Sequence, residues 1–232
     1  MPRIDEIKQR LTNKFNDAII NVDQPRPTQF FIDIKKESIR DVCTALIGMG
    51  ARYLVSVGYD NIERDKTLGM IHTFAFDGDN IYCAIRTAVP EDKPVMDSIT
   101  PAIPNAGWSE REFMDHLGIK FSGHPKPKRL VLADDWPEGL YPLRKTVPWN
   151  IQPPSAEGVA YQRDECPDGC TVVPIGPYHP TLHEPAHFAL YVDGETIKGC
   201  DYRGFMIHRG IEKLCQTQLT YNEIPFVAER IC

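Results

Sequence analysis

The stretch WSEREFMDHLGIKFSGHPKPKRLVLADDW occupies residues 108–136, and LYPLRK follows at residues 140–145. Its first part predicts a helix whose two ends are marked by sequence. Ser109 and Glu112 have the spacing of a capping box, in which each side chain accepts a bond from a backbone amide of the first turn. Gly118 supplies the left-handed residue that ends many helices. The stretch therefore predicts a short helix followed by an extended segment.

The faces of this predicted helix differ in polarity. Phe113 and Leu117 lie on one side, four residues apart, so that side packs against a core. The acidic residues Glu110, Glu112 and Asp115 line the rest of the helix. After the helix, residues 122–157 are rich in Pro and Gly and lack periodicity. We expect an extended tail there, at a boundary between two domains.

Upstream of this helix, the hydrophobic periodicity predicts an α+β domain. Helices are expected at residues 5–17 and from Ser38 onward, and strands at residues 29–34, 52–58, 68–76 and 81–88. The last two strands are joined by Asp-Gly-Asp-Asn, a strong hairpin signal. Locally paired strands with helices before and after them are typical of a mixed sheet with flanking helices.

Downstream of the tail, the pattern starts again on a smaller scale. Short strands are expected at residues 171–175, 188–192 and 196–200, and helices from residue 207 onward and at about 220–231. The second region therefore predicts a small β-sheet followed by helices. The three segments that we expect are residues 1–121, 122–157 and 158–232.

The composition excludes several classes of protein. A net charge of −6 over 232 residues argues against nucleic-acid binding, which needs a basic face. No apolar run approaches the 18 to 20 residues of a membrane span, so any membrane contact is expected to go through a partner. The start, MPRIDEIKQRLTNKF, lacks the apolar core of a secretory signal. The odd number of cysteines, seven, indicates reduced thiols rather than a disulfide framework. Cys166 and Cys170 lack a second pair and make a poor zinc site.

The run at residues 108–136, together with LYPLRK, closely resembles the signature of the thirty-kilodalton subunit of respiratory complex I. That family carries a Glu-Arg-Glu-x-x-Asp helix, Gly-Ile, a Gly-His-Pro turn and a Pro-Leu-Arg-Lys end, all of which occur here. The resemblance covers about residues 1–145 and implies a docking domain. Residues 1–121 contain no phosphate loop, nucleotide fingerprint or nucleophile–base pair, so we expect no catalysis there.

The second region resembles the start of the forty-nine-kilodalton subunit of complex I and of the related membrane-bound nickel–iron hydrogenase large subunits. The matching motifs are GPYHP at residues 176–180, EPAHF at 184–188, VDGE at 192–195 and HRGIEKL at 208–214. Complex I subunits carry an acidic-Arg-Leu-Asp-Tyr sequence near residues 221–223, whereas this chain has Tyr-Asn-Glu there. Residues 229–232, Glu-Arg-Ile-Cys, resemble the Glu-Arg-Ile-Cys-Gly-x-Cys of the hydrogenases. The fusion of both regions looks most like a formate hydrogenlyase large subunit, here its N-terminal part.

The resemblance implies roles for two residues. Cys232 would be a thiolate ligand of the Ni-Fe centre, although only in the complete protein, because the family builds that centre from four cysteines. The centre is not expected in this stretch alone. Glu184 would pass protons between the metal site and the protein interior, since desolvation can raise the pKa of a carboxyl group toward neutrality. The alternative is that Glu184 is an ordinary solvated loop carboxylate.

Three further residues are candidates through the same resemblance. His183 would line the cavity that holds quinone in complex I. His208 and Arg209 would lie beside the nearest iron–sulfur cluster of the small subunit, where a positive charge raises the reduction potential of the cluster. The alternative for Arg209 is a helix-capping residue paired with Glu212. A histidine metal site formed by His179 and His183 is disfavoured, because Pro180 lies between them.

The overall interpretation is a subunit of a respiratory-type oxidoreductase on the cytoplasmic face of the cell membrane. The expected reaction is reduction of protons to hydrogen, with electrons from iron–sulfur clusters in partner subunits. The expected partners are an iron–sulfur small subunit similar to the twenty-kilodalton subunit of complex I, and other peripheral and membrane subunits. Two alternatives stay open. One is a quinone-reducing NADH-quinone oxidoreductase subunit of the thirty- or forty-nine-kilodalton type, and the other is a pure assembly scaffold.

Overall fold

The computed structural model describes residues 3–154, 159, 161 and 163–230. The chain divides into two compact units, the first ending at Lys128 and the second beginning at Arg129. At the end of the first unit, Arg111 Nε donates to the carbonyl oxygen of Lys128 at 2.7 Å. The division into residues 1–121, 122–157 and 158–232 stays a prediction.

The first unit holds four helices and seven strands among the described residues. In chain order they are α1 Arg3–Phe15, β1 Ile19–Arg26, β2 Gln29–Ile34, α2 Ile39–Gly48, β3 Arg52–Asp60, α3 Ile62–Asp65, β4 Thr67–Phe76, β5 Ile81–Pro90, β6 Val95–Asp97, α4 Gly107–Leu117 and β7 Lys120–Ser122. The short strands β6 and β7 pair with each other in parallel. The predicted helices and strands of this unit are all present.

A five-stranded mixed sheet forms the centre of this unit, in the order β1-β2-β5-β4-β3. Strands β2 and β5 are parallel, and the other neighbours are antiparallel. Alternate residues of each central strand are buried, which puts an apolar layer on one side of the sheet. Helix α4 approaches β3 closely, since a Cβ atom on Gly58 would lie 2.7 Å from Leu117 Cδ1. The predicted α+β fold with a mixed sheet and flanking helices is confirmed.

Helix α4 begins earlier than its sequence suggests. A 3₁₀ turn at Pro104–Ala106 runs directly into Gly107, so Ser109 and Glu112 lie inside the helix and the predicted capping box is wrong. The predicted end is confirmed. Gly118 has φ of 75° and donates its N–H to the carbonyl oxygen of Phe113.

Strand β1 was missed by the periodicity. Its residues are almost all exposed, and it contains a proline, so it has neither the alternation nor the composition of a typical strand. It forms because β2 offers an unpaired edge, to which β1 pairs from Ile19 opposite Ile34 to Arg26 opposite Gln29.

The second unit is smaller and contains one antiparallel sheet in the order β10-β9-β8. Its elements are β8 Thr171–Ile175, β9 His187–Asp193, β10 Thr196–Arg203, α5 Ile211–Thr217 and α6 Ile224–Ala228. Residues 129–154 form no helix or strand. Arg203 holds this segment by donating to the carbonyl oxygens of Leu130 at 3.1 Å and Leu132 at 3.3 Å. Lys213 Nζ donates to the carbonyl oxygen of Arg144 at 2.9 Å.

Candidate functional site

The acidic helix of the signature is buried rather than solvated. Glu110 is fully buried, and its carboxylate accepts bonds from Ser98 Oγ at 2.5 Å, Ile99 N at 2.7 Å and Thr100 Oγ1 at 2.7 Å. Asp115, on the same helix, is buried as well. The loop at residues 98–100 covers this side of α4, and a charge can be accommodated there because three donors surround the carboxylate.

The Gly-His-Pro turn completes this network. The N–H of Lys126 donates to His124 Nδ1 at 3.0 Å, so in the neutral ring Nε2 carries the proton and donates to the carbonyl oxygen of Gly107 at 3.1 Å. His124 Nε2 also lies 3.8 Å from Glu110 Oε2. Glu110 is therefore bonded to residues 98–100, and His124 to Gly107 and Lys126; these contacts hold α4 to the segments before and after it.

A second buried polar chain crosses the sheet of the first unit. Tyr53 Oη lies 2.7 Å from Ser56 Oγ, which lies 2.6 Å from His72 Nδ1. Burial lowers the pKa of His72 to about 4, so the ring is neutral at physiological pH. None of these side chains is open to a substrate.

In the second unit, His183 and Glu184 lie together on an exposed loop between β8 and β9. Both side chains are exposed, and they line a surface depression of about 380 Å³ formed by residues 177–180 and 182–185. The loop is closed by a bond from Ala186 N to the carbonyl oxygen of Pro177 at 3.3 Å. Only glycine fits at Gly176, which has φ of 86° and whose added Cβ would lie 1.9 Å from the carbonyl oxygen of Ala186.

Glu184 lies within electrostatic reach of β10. Burial, and then the carboxylate of Glu184, raise the pKa of Tyr202. Among the described residues of this unit, the Glu184 side chain is exposed to solvent.

His208 and Arg209 immediately precede α5. His208 Nε2 lies 3.4 Å from Glu212 Oε2, which is an ion pair when the ring is protonated. Arg209 is exposed and its Nη2 donates to the carbonyl oxygen of Arg230. The carboxylate of Glu212 is therefore close to His208, and Arg209 instead joins the beginning of α5 to the segment after α6.

The described residues do not by themselves make a Ni-Fe centre. In residues 3–154, 159, 161 and 163–230, no three His, Cys, Asp or Glu side chains come together in a way that could hold a metal ion. Cys232 lies outside the described residues. A site built from four thiolates needs ligands beyond this set.

The comparison with protein families decides the assignment of the first unit. Residues 32–153 match the family described as "Respiratory-chain NADH dehydrogenase, 30 Kd subunit". The chain belongs to this family. The match begins within β2, runs through β7 and includes the whole signature with the buried Glu110 and His124. The predicted resemblance to this subunit of complex I is thereby confirmed.

Three relatives of this chain represent two kinds of oxidoreductase. The chain is 35% identical to hydrogenase-4 component G of Escherichia coli (strain K12) over 235 residues, which are 99% of this chain and 42% of that protein. It is 45% identical to formate hydrogenlyase subunit 5 of the same organism over 159 residues, 67% of this chain and 28% of that protein. The third relative is the C/D subunit of an NADH-quinone oxidoreductase from Phocaeicola vulgatus (strain ATCC 8482), 33% identical over 171 residues, 66% of this chain and 32% of that protein.

The chain thus spans between about a quarter and two fifths of the length of these relatives. It is related both to hydrogenase subunits and to fused complex I subunits. No helix in the described part of the chain is long and apolar enough to cross a membrane.

Proposed function

We propose that this chain is part of the large subunit of a membrane-associated nickel–iron hydrogenase of the formate hydrogenlyase type. In the complete protein it would reduce protons to hydrogen with electrons supplied by iron–sulfur clusters of partner subunits. The first unit would dock the large subunit to the iron–sulfur small subunit, and the second would contribute Glu184 and Cys232 to the reaction centre.

One observation carries the choice of a hydrogenase over complex I. The chain is 45% identical to formate hydrogenlyase subunit 5 and 33% identical to the quinone oxidoreductase relative over stretches of similar length. Residues 229–232, Glu-Arg-Ile-Cys, favour the same choice, because they resemble the hydrogenase motif and end in a cysteine whose thiolate suits nickel and iron.

Two features of the first unit support a docking role: the buried carboxylate of its signature is hydrogen-bonded, and its sheet has an exposed edge strand. The carboxylate of Glu110 is buried and bonded to Ser98, Ile99 and Thr100, so it is unavailable for chemistry. Strand β3 is an edge strand of the sheet, and Val55 and Val57 on it are 49% and 50% exposed. Apolar side chains on an unpaired edge suit association with another protein. We therefore place the small-subunit interface at β3.

Glu184 would hold and release the proton in the second unit. Its loop is shaped by Gly176 and by the Ala186 to Pro177 bond, which keep the carboxylate at one place on the surface of this unit. A general acid or base must lie within hydrogen-bond reach of its partner, and a lost acid–base group lowers a rate by about two to four orders of magnitude.

The test is Glu184→Gln in the complete enzyme. The amide keeps the size of the side chain but cannot release a proton, so hydrogen evolution should fall about a hundredfold or more. Nickel content and assembly should be unchanged. Gas chromatography of hydrogen and metal analysis of the purified enzyme measure the two effects separately.

Glu195→Gln is the matched control, because Glu195 is exposed in the turn between β9 and β10. Its hydrogen evolution should equal that of the unmodified enzyme. Normal hydrogen evolution by Glu184→Gln would refute the assignment and leave Glu184 as a solvated loop carboxylate.

The second candidate function is quinone reduction as a complex I subunit of the thirty- or forty-nine-kilodalton type, which the family match and the C/D-type relative favour. The gene sequence beyond codon 232 separates the two. Gly-x-Cys directly after Cys232, with a second Cys-x-x-Cys further on, supports the hydrogenase. If both motifs are missing, the quinone-reducing subunit or an assembly scaffold is the better proposal.

A further inference from the structure

Cys166 and Cys170 bracket a tight turn in the second unit. The N–H of Cys170 donates to the carbonyl oxygen of Pro167 at 3.1 Å, which closes the turn. Gly169 has φ of 78°, a left-handed conformation that favours glycine at this position. The thiol of Cys166 lies 3.5 Å from the carbonyl oxygen of Cys170. The turn therefore places one thiol directly against the backbone of the other cysteine.

Both thiols of this pair are reachable from solvent. Cys166 and Cys170 are half-buried, and the three residues between them are exposed. Cys43 and Cys83, in the first unit, are completely buried, and burial raises the pKa of both thiols. Reagents in solution should therefore reach Cys166 and Cys170 long before they reach the cysteines of the core.

The short connection between the two thiols favours their reaction with each other. A disulfide needs its two Cα atoms within about 7 Å and its Cβ atoms directed toward each other. Across the turn at residues 167–170 the Cys166 thiol already lies 3.5 Å from the backbone carbonyl oxygen of Cys170, which favours this proximity. Partial desolvation, and then the adjacent thiol of Cys166, raise the pKa of Cys170. Its reaction should therefore become faster as the pH rises above neutrality.

We propose that Cys166 and Cys170 form a dithiol modification site, which closes reversibly to an intrachain disulfide in the presence of a small-molecule disulfide. The thiolate of one cysteine attacks the oxidant, forms a mixed disulfide and releases one small thiol. The second cysteine then displaces the other small thiol and completes the ring. The two cysteines lose two electrons and two protons, and the broken S–S bond of the oxidant takes them up as two thiols.

Closing this ring would stiffen the entrance to β8. The segment before the pair is already tied to the sheet, because Tyr191 Oη donates to the carbonyl oxygen of Asp164 at 2.6 Å. Strand β8 follows at Thr171 and is an edge strand on which Val172 and Val173 are about 40% exposed. The redox state of the pair would therefore change the stiffness of an exposed apolar edge.

The full chain, reduced and then equilibrated with oxidised glutathione, provides the test. Trypsin cleaves after Arg163 and Lys198, and the peptide 164–198 contains Cys166 and Cys170 but no other cysteine. Its mass should fall by two hydrogen atoms, and this closed form should exceed the glutathione adduct at least roughly tenfold. Dithiothreitol should restore both alkylatable thiols. Phenylarsine oxide, which bridges two adjacent thiols, should protect both cysteines from alkylation at one equivalent per chain.

The single variants Cys166→Ser and Cys170→Ser should each stop at the mixed disulfide and retain one glutathione on peptide 164–198. Cys200→Ser is the control, because Cys200 is the exposed cysteine outside the pair among those described, and it should close the ring like the unmodified chain. Accumulation of two glutathione adducts on the unmodified peptide would overturn the proposal. A disulfide from either cysteine to Cys200, or to a second chain, would overturn it as well.

Discussion

The two units of this chain differ in how much of their own apolar surface they bury. In the described residues, the buried apolar side chains of the second unit are six: Leu130, Val131, Leu132, Ala186, Ala189 and Tyr191. All the others lie in the first unit, where the largest include Phe30, Phe74 and Met70. The first unit thus has a core of its own, whereas the small sheet of the second leaves most of β8 and α6 in contact with solvent.

This difference in buried apolar surface separates the stable part of the chain from the part that carries the functional candidates. Burial of apolar area supplies most of the favourable free energy of folding, so the first unit should be the stable part of the chain. The functional candidates Glu184, His208 and Arg209 all belong to the second unit, which relies on backbone clamps from Arg203 and Lys213. The following predictions test this contrast, from the largest expected effect to the smallest.

Truncation of an aromatic side chain should separate the two units most clearly. Phe74 is completely buried and packs edge-on against Tyr53, with ring centroids 5.7 Å apart. Phe74→Ala should lower the free energy of unfolding of the first unit by about 3–5 kcal/mol. Phe226 in α6 is 67% exposed, so Phe226→Ala should change the free energy of unfolding of its own unit by less than about 0.5 kcal/mol. Urea unfolding, followed by hydrogen exchange in each unit, measures the two changes in stability. Equal losses for the two variants would contradict the difference in core burial between the units.

The buried carboxylate of α4 should be nearly as important. Glu110→Ala leaves the donors of Ser98, Ile99 and Thr100 without their acceptor inside the protein. The free energy of unfolding of the first unit should fall by about 3 kcal/mol, since buried unsatisfied groups are costly. Glu63→Ala, at an exposed position in α3, is the control and should be almost silent. A silent Glu110→Ala would mean that water replaces the carboxylate at little cost.

The stability of the first unit should depend on pH through His72. Its pKa is lowered to about 4 by burial, from an ordinary value of 6.5. Below pH 6.5 the unfolded chain binds a proton that the folded chain does not bind, so stability present at pH 7 is lost as the pH falls toward 4. The expected loss at pH 5 is about 2 kcal/mol. Urea titrations at pH 7 and pH 5 should show this loss, and His72→Gln should remove most of it.

The clamp on the extended segment should give the smallest effect. Arg203 donates to two carbonyl oxygens and also lies 3.2 Å from Asp134. Arg203→Met should weaken the attachment by about 1 kcal/mol and raise tryptic cleavage after Arg144 and Lys145 roughly fivefold. Lys198→Met is the control, because its ion pair with Asp193 is exposed. Unchanged cleavage in Arg203→Met would show that other contacts hold the segment.

Much of the local structure could be predicted because it depends on short-range patterns. The helices and strands of the first unit, the left-handed end at Gly118 and the hairpin between β4 and β5 all follow from periodicity and turn residues. The start of α4 could not be predicted in this way. Ser109 and Glu112 have the spacing of a capping box, but the preceding 3₁₀ turn moves the start of the helix to Gly107. Local signals of similar strength compete at a helix end, and packing decides between them.

The candidate site was predicted as a set of residues and not as a geometry. The motif around Glu184 is visible in the sequence, but its exposure on a loop depression and its proximity to Tyr202 depend on how β9 and β10 pair. The turn that brings Cys166 against Cys170 was likewise hidden, because spacing alone does not report on a backbone bond.

By itself, the sequence determined the family of the first unit, the α+β class and the order of the helices and strands, since hydrophobic period and turn chemistry are local properties of the chain. Only the tertiary structure decided that Glu110 and Asp115 are buried and that β1 is a strand. The physical reason is the same in each case. A carboxylate can lie inside a protein, and a polar segment can join a sheet, only when hydrogen-bonding partners from other segments of the folded chain replace water.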